Sequence, residues 1–226
     1  MKNIEYIKKI SFFSEIDEED ADKISKLIIE RKYKKNMMVF MEGERAEAVF
    51  FVKKGKIKIS KSASDGKEHI IHIMTDGDVF AEACLFGMSH YPAYAEAIED
   101  SEVYMIKNSD LEKLLEAYPK MAIQIIKVLS KRLNLVSTQI ENLALRDAYG
   151  KTAALIIQLL RNSGIAAKNG VVLRTDLSRQ DMGNMVGLTR ETLTRALTRL
   201  KNDGIIDIDR DEIRLLDVEK LNSWIY

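Results

Sequence analysis

Residues 190–201 carry side chains that can hydrogen-bond to DNA bases, at a spacing that places them on one face of a helix. Apolar residues from Leu193 to Leu200 recur at i, i+3, i+4 and i+7, the pattern of a buried helical stripe. Arginine can donate two hydrogen bonds to guanine, glutamate can accept one from cytosine N4, and threonine can contact the thymine methyl group or a phosphate. An ordinary solvated helix face would carry similar residues, so the neighbouring segments must decide between the two interpretations. The side chains opposite the stripe are Arg190, Glu191, Thr194, Arg195 and Thr198.

A shorter helix is predicted immediately before this segment, joined to it by a tight turn. Ser178 can accept hydrogen bonds from the unpaired amides at the helix start, and Asp181 places negative charge in the first turn. Gly187 offers the backbone freedom that the turn requires, and Thr189 can cap the second helix. This arrangement is typical of a helix–turn–helix whose second helix reads DNA.

The local charge and the segment that follows favour the same interpretation. Over the whole chain 35 Lys and Arg balance 35 Asp and Glu, but residues 178–201 hold five basic side chains against two acidic ones. Nucleic-acid binding depends on this local distribution rather than on the net charge. Two short apolar runs, 205–208 and 213–216, flank a charged turn with Arg210 at its tip, which predicts a hairpin wing.

The N-terminal half has a different pattern, that of many short strands. Apolar runs between residues 37 and 106 are separated by single glycines at near-regular spacing, which indicates a small barrel or sandwich. Helices are expected over 3–10 and 18–31. The expected strand cores are 38–40, 49–52, 57–59, 70–73 and 103–106.

A long helical segment, 109–144, follows the strands, with Pro119 at a helix start. Its apolar residues alternate at intervals of three and four over three heptads. Such a stripe can dock on the chain's own barrel, but symmetric DNA sites are read by symmetric dimers, so we expect a dimer seam. Asp147 is placed to cap the next helix, and we expect a hinge there. The seam residues are Ile126, Leu133 and Ile140 at heptad position a, and Leu129, Val136 and Leu143 at position d.

Composition argues against several other functions. The single cysteine, Cys84, excludes an intramolecular disulfide, and the polar N-terminus shows no signal peptide or membrane span, so we expect a cytoplasmic protein without membrane contact. No Ser-His-Asp arrangement, phosphate-binding glycine loop or Walker motif occurs, so we expect no enzymatic activity. His69, His72 and His90 lack the spacing of metal ligands, and no metal site is expected.

A barrel with regular glycines, a long dimer helix, an Asp-capped hinge and a winged helix together resemble the bacterial transcription regulators of the cyclic AMP receptor protein and fumarate and nitrate reductase regulator (Crp/Fnr) family. The resemblance covers nearly the whole chain. It implies an α+β fold with an N-terminal β-roll, or double-stranded β-helix, of the cyclic-nucleotide-binding type over 1–108. A dimerisation helix and hinge would follow over 109–146, and a winged helix–turn–helix DNA-binding domain over 147–226. The motifs that carry it are FFVKKGKIKI (50–59), GDVFAE (77–82), RL (132–133), NLA (142–144), SRQ (178–180) and RET (190–192).

The resemblance also assigns roles on DNA. It implies that Arg190, Glu191 and Arg195 contact bases, and that residues 178–180 and Thr189 mostly hold phosphates. The implied operator is palindromic, with TGTGA-like half-sites about 34 Å apart, one turn of the duplex. RNA polymerase is a further candidate partner. The expected DNA-binding residues are Ser178, Arg179, Gln180, Thr189, Arg190, Glu191, Thr194, Arg195 and Arg199.

The effector site departs from that of the cyclic-nucleotide receptors in this family. Where those receptors hold the cyclic phosphate with an Arg-Ser pair, this chain has Tyr91 and Pro92, and no Lys or Arg occurs over 77–106. A buried phosphate without a cation is costly, so we do not expect cyclic AMP as the effector. One cysteine also excludes an iron–sulfur cluster, and Ala81 and Ala83 stand where haem-sensing relatives carry ligands. We therefore expect no cofactor.

Other positions of the site do match the family. Glu82 stands where the family has a carboxylate that contacts ribose, and Arg132 and Ser137 match positions that border the ligand. Val136 replaces a hydroxyl residue, and Glu82 and Arg132 can equally form a structural ion pair. The candidate effector-binding residues, for a small neutral or weakly acidic molecule, are Glu82, Tyr91, Tyr94, Arg132, Val136 and Ser137.

We predict a homodimeric, sequence-specific transcription regulator. Either an effector in the roll biases the spacing of two recognition helices, or the seam alone holds the active form. Two alternatives stay open: a ligand-binding sensor whose helix pair contacts protein, and a cyclic-AMP-responsive regulator with an altered phosphate loop. Steep loss of binding with salt would favour DNA over a protein partner.

Overall fold

The computed structural model describes residues 7, 10, 13 and 17–225, which fold as two compact units divided between residues 132 and 133. The helix expected over 3–10 lies mostly outside the described residues. Within the described part of the chain, no helix is both long and apolar enough to cross a membrane.

The first unit contains two four-stranded antiparallel sheets, as far as residues 17–132 are described. One sheet has the strand order β1-β8-β3-β6 and the other the order β2-β7-β4-β5. This two-sheet roll confirms the expected N-terminal fold. Its elements are helix α1 (Glu18–Ser25), strands β1 (Ile29–Tyr33), β2 (Met38–Phe40), β3 (Ala48–Lys54), β4 (Ile57–Ser62), β5 (Glu68–Met74) and β6 (Val79–Phe80), a 3-10 helix (Glu82–Phe86), and strands β7 (Tyr94–Ala97) and β8 (Ser101–Lys107).

Strand β3 is buried on both faces because each face packs against a different cluster. Phe50 and Val52 point between the two sheets, into a cluster that also contains Phe80. Val49 and Phe51 point to the opposite side and pack with apolar residues of the flanking helices. Since side chains alternate along a strand, a continuous apolar run is what two covered faces require.

The helix expected over 18–31 is shorter than predicted. Asp17 caps α1 by accepting a hydrogen bond from the Asp20 amide at 2.9 Å, but the helix ends at Ser25. Residues 29–33 instead form β1, which pairs with β8 from Ile29 opposite Met105 to Tyr33 opposite Ser101. Residues 29–33 are extended because β8 supplies their hydrogen-bond partners, and the periodicity of residues 18–31 gives no information about that pairing.

Two helices, α2 (Asn108–Ala117) and α3 (Pro119–Leu145), occupy the segment expected to be helical over 109–144. Pro119 opens α3, where its missing N–H costs no hydrogen bond. Met121 and Ile125, early in α3, pack into the first unit. The boundary between the two units falls inside α3, after Arg132.

The second unit forms the expected winged helix. Asp147 caps its first helix after α3, with Oδ1 accepting hydrogen bonds from the amides of Tyr149 at 3.0 Å and Gly150 at 2.9 Å, which confirms the predicted cap. Strand order is β10-β11-β9, so the wing hairpin pairs with the strand before the helix–turn–helix. The elements are α4 (Ala148–Asn162), β9 (Val172–Arg174), α5 (Arg179–Val186), α6 (Arg190–Asn202), β10 (Ile206–Asp209), β11 (Glu212–Leu215) and α7 (Val218–Ser223).

Candidate nucleic-acid interface and effector site

Reciprocal hydrogen bonds cap α5, the first helix of the helix–turn–helix. The Ser178 hydroxyl accepts from the Asp181 amide at 3.0 Å, and the Asp181 carboxylate accepts from the Ser178 amide at 3.2 Å. Such a capping box satisfies two of the amides that a helix start leaves unpaired. The predicted cap is confirmed, and its carboxylate is already engaged within the protein.

The turn between α5 and α6 depends on two glycines. Gly187 ends α5 with a φ of +67°, a left-handed conformation that favours glycine. A Cβ added to Gly183 would lie 2.6 Å from the carbonyl oxygen of Leu188, so no larger residue fits beneath the turn. Thr189 then caps α6 by accepting from the Thr192 amide at 3.2 Å, as predicted.

Helix α6 separates its two faces cleanly. Leu193, Ala196, Leu197 and Leu200 are almost fully buried in the core of the second unit. That packing fixes the rotation of the helix about its axis, so the opposite side chains are presented to solvent. The exposed residues of this reading face are Arg190, Glu191, Thr194, Arg195 and Thr198.

Side chains on the reading face are exposed, and the hydrogen bonds found for them stay within α6 and its cap. The pKa of Glu191 is lowered first by its own backbone amide at the helix start and then by the Thr189 hydroxyl, so the carboxylate is an acceptor at neutral pH. Arg195 makes a long hydrogen bond, 3.4 Å, to the Thr192 hydroxyl. Thr194 donates its hydroxyl to the Arg190 carbonyl at 2.8 Å.

The residues expected on phosphates differ in their exposure. Ser178, Gln180 and Thr189 are exposed, and Gln180 donates to Asn184 at 2.7 Å. Arg179 is half-buried, donates to the Met182 sulfur at 3.4 Å, and has a pKa lowered by burial. Residues 178–180 lie at the start of α5 and Thr189 at the start of α6, and backbone amides point outward at a helix start.

Arg199, also expected to bind DNA, has an exposed side chain that keeps 51% of its surface accessible and lies against two aromatic rings of its own unit. Its guanidinium carbon lies 4.5 Å from the centre of the Tyr149 ring and 5.2 Å from the centre of the Trp224 ring. Nε lies 3.7 Å from an Asp203 carboxylate oxygen, and a hydrogen bond with the Tyr149 side chain raises the pKa of Arg199. Arg199 follows Arg195 by about one helical turn, so it lies at the edge of the reading face, next to the two rings.

The predicted seam on α3 is largely exposed in the single chain. Ile126, Leu133 and Ile140 are 60–68% exposed and Val136 is 42% exposed. Leu129 is the exception, because it packs against the core of the first unit. The side chain of Leu143 lies outside the described part of the structure.

Glu82 and Arg132 are brought together in the first unit. Glu82 starts the 3-10 helix, its side chain is 2% exposed, and Oε1 accepts a hydrogen bond from Arg132. Arg132 also donates to the Val79 carbonyl. Among the described residues, Oε2 of Glu82 is buried and has no hydrogen-bond partner. An unpaired buried carboxylate oxygen is costly, so this atom is suited to accept a hydrogen bond from a bound molecule.

Tyr91 is a core residue between the two sheets. Its ring stacks on that of Phe40 with centroids 3.8 Å apart, its hydroxyl donates to the Ala48 carbonyl at 3.3 Å, and burial raises its pKa. The position that the resemblance assigns to a phosphate-binding arginine therefore holds a packed aromatic side chain.

Three further residues were expected to bind the effector, Tyr94 in the first unit and Val136 and Ser137 in the second. On β7, Ala95 and Ala97 fill the space between the sheets, so alternation turns Tyr94 to the opposite face of the strand. Val136 and Ser137 are exposed on the second-unit part of α3, and the Ser137 hydroxyl donates to the Leu133 carbonyl at 2.9 Å.

The aromatic contacts of Arg199 and the burial of His72 were not predicted from the sequence. Tyr149 and Trp224 meet Arg199 across long sequence separations, and nothing in the local pattern signals that contact. His72 lies opposite Ile59 on the β4–β5 pair, and burial followed by the charge of Arg132 lowers its pKa. Its place among three isoleucines of a strand was the one available signal of burial.

Protein-family models match both units of the chain. A model described as Cyclic nucleotide-binding domain matches residues 30–118, and one described as Crp-like helix-turn-helix domain matches residues 150–224. The first match concerns the roll and the second the segment that carries α5 and α6.

Individual proteins resemble the chain over most of its length. It is 30% identical over 206 residues to an Anaerobic regulatory protein of Bacillus subtilis (strain 168), covering 87% of each chain. It is 24% identical over 217 residues to a CRP-like cAMP-activated global transcriptional regulator of Mycobacterium tuberculosis, covering 96% of this chain and 97% of that one. The solved structure of FixK2 from Bradyrhizobium japonicum matches with a TM-score of 0.77 and 29% identity, covering 88% of this chain and 98% of that one.

Proposed function

The chain belongs to the Crp/Fnr family of DNA-binding transcription regulators, which are not enzymes, and on this premise we propose that it acts as a cytoplasmic homodimer on a palindromic operator. The observation that carries the proposal is the division of α6 into a buried leucine-rich face and an exposed face of base-reading residue types. A small-molecule effector in the roll controls the two recognition helices.

Sequence-specific reading rests on Arg190, Glu191, Thr194 and Arg195. Arginine and glutamate discriminate guanine and cytosine in the major groove, and the threonine methyl group can contact thymine. Phosphates are held by the exposed polar residues at the start of α5. These residue types support a half-site related to TGTGA, and two half-sites would lie about 34 Å apart on one face of the duplex.

Pairing of two chains through α3 supplies the required symmetry. Three large aliphatic side chains recur every seven residues and are exposed to solvent in the single chain: Ile126, Leu133 and Ile140. A seven-residue apolar repeat is the spacing that coiled-coil pairing buries. A two-fold axis along this seam would place one recognition helix on each half-site.

The effector is proposed to be small, neutral or weakly acidic, and to donate a hydrogen bond to Glu82. The unpartnered Oε2 of Glu82 favours a ligand over an effector-independent protein. Cyclic AMP does not fit this proposal, because residues 77–106 carry no cation and Tyr91 is packed into the core. With one cysteine, no iron–sulfur cluster is proposed.

Selection of bound duplexes from a random pool tests the function directly. The wild-type protein is expected to enrich a palindrome, and its binding should weaken steeply with salt because several cations contact phosphates. Addition of a small-molecule extract should change affinity for the enriched duplex. Enrichment of no sequence, with binding insensitive to salt, would instead favour a protein partner for the helix pair.

A further inference from the structure

The guanidinium of Arg199 lies against two aromatic rings that are far apart in the sequence of the second unit. Tyr149 belongs to the first turn of α4, and Trp224 follows α7 near the C-terminus. The two rings lie 5.5 Å apart at an angle of 49°, and Arg199 contacts both. Cation–π contacts of this kind favour arginine, whose flat guanidinium stacks on rings.

This contact joins α6 to the first turn of α4. Asp147, the α4 cap, accepts hydrogen bonds from the amides of Tyr149 and Gly150, so the Tyr149 backbone is fixed at the predicted hinge. A Cβ on Gly150 would lie 2.7 Å from the Trp224 carbonyl oxygen, so the first turn of α4 also packs tightly on the C-terminal segment. The backbone segments that carry the two rings are therefore held close together, and Arg199 contacts both rings.

We propose that Arg199 is a positioning residue, which holds the C-terminal half of α6 against the Tyr149 and Trp224 rings, rather than a DNA contact. The buried leucine face packs α6 onto the core of the second unit, and the Arg199 contact holds its C-terminal half next to α4. Without the contact between Arg199 and the two rings, α6 can shift relative to α4 while staying folded. Base contacts by Arg190, Glu191 and Arg195 then lose alignment, whereas non-specific attraction to phosphates is kept.

The inference rests on the proposed function, and conservative variants separate the two roles of Arg199. The probes are the duplex that the wild-type protein enriches and a random-sequence duplex of equal length, each measured from about 50 to about 200 mM salt. Arg199→Lys keeps the positive charge but not the flat stacking group. We expect about tenfold weaker binding to the enriched duplex, with unchanged salt dependence and unchanged binding to random DNA. Wild-type affinity in Arg199→Lys would overturn the proposal.

Tyr149 provides a variant that changes no charge. Tyr149→Leu should reproduce the loss seen in Arg199→Lys. Tyr149→Phe keeps the ring contact and loses only the hydroxyl's hydrogen bond, so it should bind more tightly than Tyr149→Leu. The double variant Tyr149→Leu/Arg199→Lys should bind no more weakly than the weaker-binding of the two single variants. Additive losses would mean that the two residues act separately. If Arg199→Gln lowers the salt slope by about one while Tyr149→Leu has no effect, Arg199 is a phosphate contact and the proposal is wrong.

Trp224 is the only tryptophan of the chain, so its fluorescence reports on the contact without DNA. Emission should change in Arg199→Lys and Tyr149→Leu at an unchanged thermal midpoint, and identical emission in all three proteins would contradict the stack. If Tyr149→Leu does not fold, the DNA affinity and the Trp224 emission of Arg199→Lys still test the positioning role. If the wild-type protein enriches no sequence, the proposed function fails, whereas enrichment with an unaffected Arg199→Lys removes only the positioning role.

Discussion

Arg132 of α3 donates hydrogen bonds to both Glu82 and the Val79 carbonyl, and so pairs a cation on the long helix with a carboxylate buried in the roll. Glu82 is almost completely enclosed, while the Arg132 side chain keeps 29% of its surface exposed. The pair thus ties the last first-unit residue of α3 to the 3-10 helix after β6.

Removing the cation should destabilise the first unit more than removing both charges. We expect Arg132→Met to lower the free energy of unfolding by about 2–3 kcal/mol, at the lower end for a buried pair because Arg132 touches water. The double variant Arg132→Met/Glu82→Gln should recover part of that loss, since no unpaired charge stays buried. Urea unfolding followed by circular dichroism measures both. A double variant less stable than Arg132→Met would contradict this account.

Arg195 should carry base selectivity. Arg195→Ala is expected to cost about 1–3 kcal/mol on the enriched duplex and to relax the preference at one base pair of each half-site, because a bidentate arginine contact discriminates guanine. Mobility-shift titrations on duplexes substituted at each position measure the effect. Arg161→Ala, an exposed arginine at the end of α4, is the control and should change little. Equal loss on random DNA would refute base reading by Arg195.

The seam on α3 should determine the oligomeric state. Leu133→Asp/Ile140→Asp places charge in the proposed pairing surface and should give a monomer that binds the palindrome far more weakly. Both side chains are more than half exposed in the single chain, so the monomer should stay folded. Asn134→Asp, an exposed neighbour outside the heptad a and d positions, is the matched control. A dimer by sedimentation for the double variant would place the interface elsewhere.

Cyclic AMP should leave operator affinity unchanged. A cyclic phosphate buried in this roll would meet no cation from residues 77–106 and would face the packed ring of Tyr91. Operator binding measured with and without millimolar-range nucleotide tests this expectation. A reproducible tenfold enhancement would show that another part of the protein supplies the missing positive charge.

His72 should make the first unit less stable in mild acid. Burial first, and then Arg132, lower its pKa below the ordinary value of 6.5, with Lys131 acting in the same direction and Asp78 opposing it. The unfolded chain therefore binds more protons than the folded one as pH falls through about 6.5 and down towards the lowered pKa, and stability declines over that window. His72→Gln, which does not titrate, should lose less stability there. Calorimetric midpoints at pH 7.5 and 5.5 compare the two proteins, and parallel pH profiles would exclude His72 as the cause.

Much of the architecture could be predicted from the sequence because the helix caps, turns and apolar stripes that specify it are local. A capping serine with an aspartate three residues on, a turn glycine and an apolar helical stripe act within a few residues of each other, and the structure reproduces each of them around α5 and α6. Strands β2, β3, β4, β5 and β8 likewise lie on the predicted apolar runs.

The residue pattern alone therefore sufficed to predict the fold class, the helix–turn–helix and the seven-residue apolar repeat of α3. Long-range pairing was needed to show that residues 29–33 form a strand, because β8 supplies their hydrogen-bond partners, and that the Arg199 guanidinium lies against the Tyr149 and Trp224 rings. Caps and stripes depend on neighbours along the chain, whereas strand pairing and cation–π contacts depend on partners that folding brings from tens of residues away.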